Sequence, residues 1–393
     1  MITKGETVRV LHVVDSLAGS GGAEHGLVRE MTRFSSSVEH HVVRLFERDE
    51  LQPVLEDAGI GVTALGFAAA SASRTFPLAA RRLASVIRGE RPDVVHTSLF
   101  IGNLVGQIAA RASGVPVLST FVLSGDLTLL KATQPGAASV KAALMRRLAA
   151  ASARASRARF RALSEHAKAT NCALLGVPLD RVEVIPRGVP EPIRNLMPRR
   201  VLGLPESVPL IVNVGRVAAQ KGQVHLLRSF AMLARVHGDA QLVIVGRPGD
   251  AGDAVASEIA RLGLSNRVTM LGYTPHARHV IAHAAVFAFS SVMEGLGTAV
   301  VEALMAGVPV VAFDIPAVRE ATDGGRAAVL VPVGAEEVFA HELSRALDGA
   351  MAAEAAHGAR FASSRGDLDA VAHRLEALLR RVADRSAPVS LGV

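Results

Sequence analysis

Tryptophan is absent from this chain of 393 residues, and tyrosine and cysteine occur once each. The lone Cys172 excludes an intramolecular disulfide and favours a reducing, cytoplasmic compartment. Its helical context (HAKATNCALLG) offers no activating partner, which favours a buried filler over a nucleophile. With so few aromatic side chains for bases to stack on, and no zinc-finger spacing, a nucleic-acid partner is not expected.

Long hydrophobic runs are also missing. Half of the residues are apolar, yet no window approaches the roughly 18 uninterrupted apolar residues that a membrane-spanning helix needs. The N-terminal sequence MITKGETVRVLHVV lacks the apolar stretch and cleavage site of a signal peptide, and it continues directly into a strand pattern. The length favours two domains over one.

Acidic residues are absent between Leu127 and Ser164, within a chain of net charge +7. Basic residues are frequent in the same stretch: Lys131, Lys141, Arg146, Arg147, Arg154, Arg157, Arg159 and Arg161. Basic and apolar residues alternate there at roughly helical spacing, which predicts binding of residues 131–161 to an anionic membrane surface. The chain would then work at the inner face of the membrane. A solvated helix face explains the pattern equally well.

Short β-branched runs alternate with helical patterns throughout the chain. Strands are predicted at 8–14, 40–46, 61–67, 93–99, 116–122, 159–164 and 182–186, and again at 209–216, 240–247, 267–273, 285–291, 308–314 and 327–332. This alternation predicts an α/β fold with two doubly wound, Rossmann-like parallel sheets that face each other across a cleft. Ligands of such sheets bind beyond the carboxyl ends of the strands.

Six prolines between 186 and 209 interrupt the alternation, because proline cannot continue a helix or a central strand. We therefore predict an N-terminal domain over 1–188, a linker over 189–208 and a C-terminal domain over 209–365. A final helical stretch over 366–393 could pack back on the first domain.

Three strand-to-helix junctions are suited to an anion. SLAGSGGAEHG supplies glycines before a helix, but Glu24 occupies the third glycine position of a dinucleotide fingerprint. VNVGRVAAQKG places Arg216 and Lys221 five residues apart, without the pattern of a Walker loop. VMEGLGTAVVE places Glu294 before a glycine turn and Glu302 in the helix that follows.

The pattern EGLGTAVVE after the strand VFAFSS resembles the donor site of retaining GT-B glycosyltransferases of family 4. The segments GGAE, VIPRGV, VGRVAAQKG, LVIVGRPG, VTMLGY and AGVPVVAFD occur in the family's order, so the resemblance covers nearly the whole chain. It implies that Arg216 and Lys221 bind the diphosphate of a nucleotide sugar. Glu302 would hydrogen-bond the ribose, and Glu294 would contact hydroxyls of the donor sugar.

The resemblance also implies contacts through the backbone. Phosphate and sugar would be approached by the turn residues Gly295, Leu296, Gly297 and Thr298. Gly21 and Gly22 would reach the phosphates from the opposite domain. The resemblance further implies that the domain over 1–188 binds the acceptor and that the domain over 209–365 binds the nucleotide sugar. The implied reaction transfers a sugar from a nucleotide-diphosphate sugar to an unidentified acceptor with retention, and it needs no metal and no other cofactor.

The two glutamates also invite other interpretations. A glycosidase needs carboxyl groups on opposite sides of a sugar, whereas Glu294 and Glu302 belong to one loop–helix junction. Metal-dependent transferases of another fold use an Asp-x-Asp motif, and the only one here, Asp367 to Asp369, is far from the predicted cleft. A nucleotide-sugar epimerase of the same architecture and a catalytically inactive sugar-nucleotide-binding protein stay open.

The sequence departs from the family at two positions. Val122 stands where many members carry a histidine, and His96 at the end of the preceding strand is a candidate catalytic substitute. A structural histidine at a strand end is the alternative. Arg187 stands where the family often has asparagine.

Overall fold

The structure, a computed structural model, describes residues 7–19, 22–68, 72–125 and 140–384. These form two compact units. The first contains the described residues up to Gly188 together with the C-terminal helix from Leu368, and the second runs from Val189 to Asp367.

The first unit is built around a seven-stranded parallel sheet in the order β3-β2-β1-β4-β5-β6-β7. Its strands are β1 (Val8–Val14), β2 (Val38–Phe46), β3 (Gly61–Phe67), β4 (Val94–Ser98), β5 (Val117–Phe121), β6 (Arg159–Ala162) and β7 (Val182–Val184). Its helices are α1 (Gly22–Met31), α2 (Gln52–Asp57), α3 (Ala72–Glu90), α4 (Phe100–Ser113), α5 (Val140–Ala155), α6 (Glu165–Leu175) and, from the C-terminus, α14 (Leu368–Ala383).

The second unit is built around a six-stranded parallel sheet in the order β10-β9-β8-β11-β12-β13. Its strands are β8 (Leu210–Val214), β9 (Gln241–Val245), β10 (Val268–Gly272), β11 (Val286–Phe289), β12 (Val310–Phe313) and β13 (Val329–Val331). Its helices are α7 (Gln223–Leu233), α8 (Gly252–Arg261), α9 (Ala277–Ala282), α10 (Thr298–Met305), α11 (Pro316–Ala321), α12 (Glu336–Leu347) and α13 (Ala352–Gly366). The predicted fold class of two parallel-sheet α/β domains is confirmed.

The central strands β1, β4 and β5 of the first sheet are buried on both faces because helices cover each side. In β1, Leu11 and Val13 join a core cluster with residues of α3 and α4, whereas Val8 and Val10 face a second cluster. The two sets of side chains thus point to opposite faces of the sheet, as the period of two of a strand requires. The second cluster is closed by α14, whose side chains include the fully buried Leu375.

The proline-rich segment predicted as a linker belongs to the second unit. Polar side chains of the second unit contact carbonyl groups of this segment. The guanidinium of Arg199 donates to the carbonyl oxygens of Pro205, Glu206 and Val208. His283 Nε2 lies 2.7 Å from the carbonyl oxygen of Met197. These hydrogen bonds fix a segment whose prolines interrupt regular structure and which contains the short 3-10 turn Arg199–Leu202.

A buried charge cluster explains why Arg187 is accommodated in the first unit. Glu30 of α1 accepts bidentate hydrogen bonds from Arg161 at 2.7 and 2.8 Å and a further bond from Arg187 at 2.7 Å, and all three side chains are almost fully buried. Burial alone would raise the pKa of Glu30, but the two guanidinium groups lower it to about 2. At Gly26, a Cβ would lie 2.6 Å from Arg187 Cδ, so glycine leaves room for the arginine.

Within the described ranges, none of the helices combines the length with the apolarity that crossing a bilayer requires.

Candidate functional site

The candidate site lies in the second unit, beyond the carboxyl ends of the adjacent strands β8 and β11. Ile211 and Val212 of β8 pair with Val286 and Phe287 of β11. From β8 the chain proceeds to β9 on one side, and from β11 it proceeds to β12 on the other. The loops after β8 and β11 therefore diverge at a topological switch point, where α/β sheets bind ligands.

The two loops are joined by backbone and hydroxyl contacts. The Ser290 hydroxyl donates to the carbonyl oxygen of Lys221 at 2.8 Å, and the Val292 N–H donates to the carbonyl oxygen of Gln220 at 2.9 Å. Gly222 has a φ of +62°, and a Cβ there would lie 2.1 Å from the Ser290 carbonyl oxygen. Only glycine satisfies both the left-handed backbone and the close approach, so Gly222 sets the position of Lys221.

Lys221 and Glu294 form an ion pair between these loops, with Nζ 2.5 Å from Oε1. The two side chains are only 18% and 9% exposed, and the ammonium lies 6.0 Å from the centre of the Phe289 ring. Because this charge-assisted hydrogen bond is partly buried, each side chain fixes the position of the other. The structure thus brings together the predicted diphosphate-binding cation and the predicted sugar-binding carboxylate.

Arg216 follows β8 and is exposed. Its guanidinium makes no ion pair with any residue in the described part of the chain, whereas its carbonyl oxygen accepts a bond from Gln223 Nε2 at 3.1 Å. The side-chain amide of Gln223 thereby holds the loop, while the charged end of Arg216 extends into solvent. The Arg216 guanidinium is therefore available to bind an anion. Lys221 is only partly available, because its ammonium group is already paired with Glu294.

The glycine turn ends at the N-terminus of α10. Gly297 adopts a left-handed conformation with a φ of +83°, and no side chain caps the first turn of the helix. Gly295, Leu296 and Gly297 are buried, and Thr298 is half-buried. An uncapped first turn leaves backbone N–H groups and positive potential for an anion. Glu302 lies half-buried on the second turn of this helix.

Sequence reasoning missed Asn213, which contributes to the same site. It is buried in β8, and its side-chain amide donates to the carbonyl oxygen of Ala288 in β11 at 2.8 Å. This bond ties together the two strands whose loops carry the site. The sequence signal for this residue was a polar side chain inside the apolar run LIVNV, because a buried amide needs a hydrogen-bond partner.

The first-unit predictions fall partly outside the described residues. Gly21 lies outside them, and Gly22 is the exposed first residue of α1. Val122 follows β5 and is half-buried.

The structure places His96 in the core of the first unit, which favours the structural alternative over a catalytic role. His96 is 1% exposed in the middle of β4, with Nδ1 3.1 Å from His12 Nδ1 and Nε2 2.9 Å from the Thr120 hydroxyl. Burial, reinforced by the Arg161 charge, lowers its pKa to about 3. His96 is therefore a neutral core histidine, because all five residues of β4 are buried beneath helices.

Two family models match this chain in succession. The description Glycosyltransferase Family 4 applies to residues 20–191, and Glycosyl transferases group 1 applies to residues 198–360. The chain belongs to the group 1, family 4 glycosyltransferases. The second match contains the β8 and β11 loops and the whole of α10.

Individual relatives agree with the family. The chain is 36% identical over 105 residues to an uncharacterized glycosyltransferase of Methanocaldococcus jannaschii, which is 27% of this chain and 26% of that protein. It is 28% identical over 260 residues to 2-deoxystreptamine glucosyltransferase of Streptomyces kanamyceticus, which is 62% of this chain and 65% of that protein. The alignments thus span less than two thirds of the length of either relative.

The fold is shared with solved structures. HepE of Anabaena, in complex with UDP and glucose, superposes with a TM-score of 0.78 over 95% of this chain and 99% of its own, at 21% identity. At that identity the likeness concerns the fold.

Proposed function

We propose that this protein is a retaining glycosyltransferase that moves a sugar from a nucleotide-diphosphate sugar to an acceptor hydroxyl without a metal. The observation that carries the proposal is the Lys221–Glu294 ion pair at the switch point, beside the uncapped start of α10. It brings a cation of the β8 loop, a carboxylate of the β11 loop and the backbone donors of α10 to one place. Family membership supports the reaction class, and the UDP and UDP-glucose complexes of HepE support the donor class.

The proposed reaction breaks the bond between the anomeric carbon and the diphosphate oxygen and forms one to the acceptor oxygen. The departing diphosphate gains negative charge, and the acceptor proton passes to a phosphate oxygen on the same face of the sugar. Preorganised positive charge where that negative charge develops is the largest catalytic contribution such a site can make.

Lys221 and Arg216 supply this charge in different ways. The ammonium group has three N–H donors, so it keeps Glu294 with one and offers the others to a phosphate. The exposed Arg216 guanidinium binds phosphate oxygens in a planar fork. Together they take the role that a divalent cation has in metal-dependent transferases.

Glu294 and Glu302 are proposed to bind hydroxyl groups. Glu294, held by Lys221, would accept hydrogen bonds from the donor sugar and orient its anomeric carbon toward the acceptor. Glu302, on the second turn of α10, would accept them from the ribose. The N–H groups from Gly295 to Thr298 would face the diphosphate.

The epimerase alternative is not favoured, because both matching family models describe transferases. Incubating nucleotide sugars without an acceptor separates the two activities: a transferase releases no epimer, and formation of one would reverse the assignment.

Thermal unfolding with nucleoside diphosphates tests the proposal. At ligand concentrations about 100 times Kd, binding stabilises a protein by roughly 2.7 kcal/mol, so UDP, GDP or ADP should raise the melting temperature. The double variant Arg216→Ala, Lys221→Ala should lose this shift. Arg235→Ala, an exposed arginine of the same unit, should retain it. A wild-type protein that no nucleoside diphosphate or nucleotide sugar stabilises would contradict the proposal.

A further inference from the structure

Helix α5 presents an apolar stripe to solvent. Val140, Leu144 and Leu148 are 88%, 56% and 39% exposed. Their spacing of four residues places them in one row along the helix. The opposite side of α5 is buried through the small residues Ala149, Ser152 and Ala153, so the orientation of the helix on the first unit is fixed.

Basic side chains flank the stripe. Arg147 is exposed one helical turn from Leu144, and Arg157 follows the helix. Arg154 is also exposed, and its guanidinium donates to the carbonyl oxygen of Leu175 at 3.5 Å. Arg111 of α4 donates to the carbonyl oxygen of Ala155 at 2.6 Å, which adds a further positive charge at the C-terminal end of α5. No acidic residue occurs from Leu127 to Ser164.

We propose that this face of α5 docks on a bilayer with anionic headgroups. Val140, Leu144 and Leu148 would enter the boundary between headgroups and acyl chains, and the arginines would extend to lipid phosphates. Each basic side chain near an anionic leaflet strengthens binding about fivefold.

Charge and composition disfavour two other occupants. A second copy of the chain, packed face to face by two-fold symmetry, would oppose arginines with arginines. Nucleic acid would gain nothing from an exposed row of valine and leucine, which provides no stacking surface.

Vesicle sedimentation tests the proposal with the full chain. Vesicles of phosphatidylcholine and phosphatidylglycerol should bind the protein, and binding should weaken as salt rises. Vesicles of phosphatidylcholine alone should bind far less. Leu144→Gln should weaken binding about tenfold and Arg147→Gln about fivefold.

Matched controls come from α3 of the same unit. Leu78 is 46% exposed and Arg88 is exposed, so Leu78→Gln and Arg88→Gln make equivalent changes away from α5. Both should bind anionic vesicles as the wild type does. The proposal is overturned by equal binding to neutral vesicles, by no vesicle binding, by duplex DNA binding in its place, or by controls that weaken binding as much as Leu144→Gln.

The absence of tryptophan permits a direct readout of insertion. In a Val140→Trp variant, anionic vesicles should shift the fluorescence to shorter wavelength, because the indole leaves water. A Leu78→Trp variant should show no shift. Equal shifts in both, or in neither, would overturn the proposal. None of these residues lies in the second unit, so either outcome leaves the proposed transferase activity to its own test.

Discussion

At the scale of single residues, Gly222 controls the geometry of the candidate site. Its positive φ alone would make alanine unfavourable by about 1 kcal/mol. In addition, a Cβ would collide with the Ser290 carbonyl oxygen at 2.1 Å, and that oxygen belongs to the backbone and cannot rotate away. The backbone of the β8 loop must therefore shift if any side chain is placed there.

We expect Gly222→Ala to lower the free energy of unfolding by about 3 kcal/mol and to weaken nucleoside diphosphate binding, because the loop that positions Lys221 must move. Gly334→Ala is the matched control: its φ is +82°, but nothing lies within 4 Å of the added Cβ. Its free energy of unfolding should fall by only about 1 kcal/mol. Chemical denaturation measures the free energy of unfolding of both variants. Equal decreases would show that the contact with Ser290 is unimportant.

The two glutamates should divide binding and catalysis between them. Glu294→Gln leaves Lys221 without a carboxylate, so we expect nucleoside diphosphate affinity to stay equal or improve while kcat falls about 100-fold. Glu302→Gln should weaken that affinity about tenfold, with a smaller effect on kcat. Isothermal titration and steady-state kinetics separate these effects. If Glu294→Gln abolished nucleotide binding and Glu302→Gln did not, the roles would be reversed.

At the scale of structural elements, the Glu30 cluster joins α1, β6 and the segment after β7. Arg161 also donates from Nε to the carbonyl oxygen of Ile185 at 2.8 Å, and Gly188 N–H reaches Glu30 Oε1 at 3.3 Å. One carboxylate thus connects three parts of the first unit that are distant in sequence. Breaking such a cluster leaves buried guanidinium groups uncompensated.

We expect Glu30→Gln to lower the free energy of unfolding by about 3–5 kcal/mol at pH 7. The pKa of Glu30 is lowered from 4.5 to about 2. The unfolded chain therefore takes up this proton first, and the stabilisation is lost as pH falls from 4.5 towards 2. Urea unfolding across that range should show wild type and variant converging. Glu90→Gln, at an exposed position of α3, should behave as the wild type; a pH-independent difference would contradict the charge argument.

Local patterns predicted most of the elements because the strands are short apolar runs between turn residues. The predicted run 308–314 contains β12, and 209–216 contains β8. What sequence could not show were contacts between distant residues. Lys221 and Glu294 are 73 residues apart, and only the order of strands in the sheet makes them neighbours. The burial of His96 was also invisible in the sequence, because burial of a strand residue depends on the helices packed over the sheet.

At the scale of the whole molecule, each unit contains its own hydrophobic core. In the first unit, α14 places Val371, Leu375 and Leu379 against Val10 and Leu118 of the sheet. The last described helix thus completes the unit that the chain begins. In the second unit, a separate cluster forms around β8 to β13 and includes Phe230 and Phe339. Domains with their own cores can unfold separately.

We therefore expect two unfolding transitions that respond to different changes. Leu375 is fully buried, so Leu375→Ala should destabilise the first unit by about 2–5 kcal/mol. A nucleoside diphosphate bound beside Lys221 should stabilise the second unit alone. Calorimetry of wild type and variant, with and without UDP or GDP, would assign each transition. Val338→Ala, at an exposed position of α12, is the control and should shift neither. If Leu375→Ala and the nucleotide moved the same transition, the two units would unfold as one.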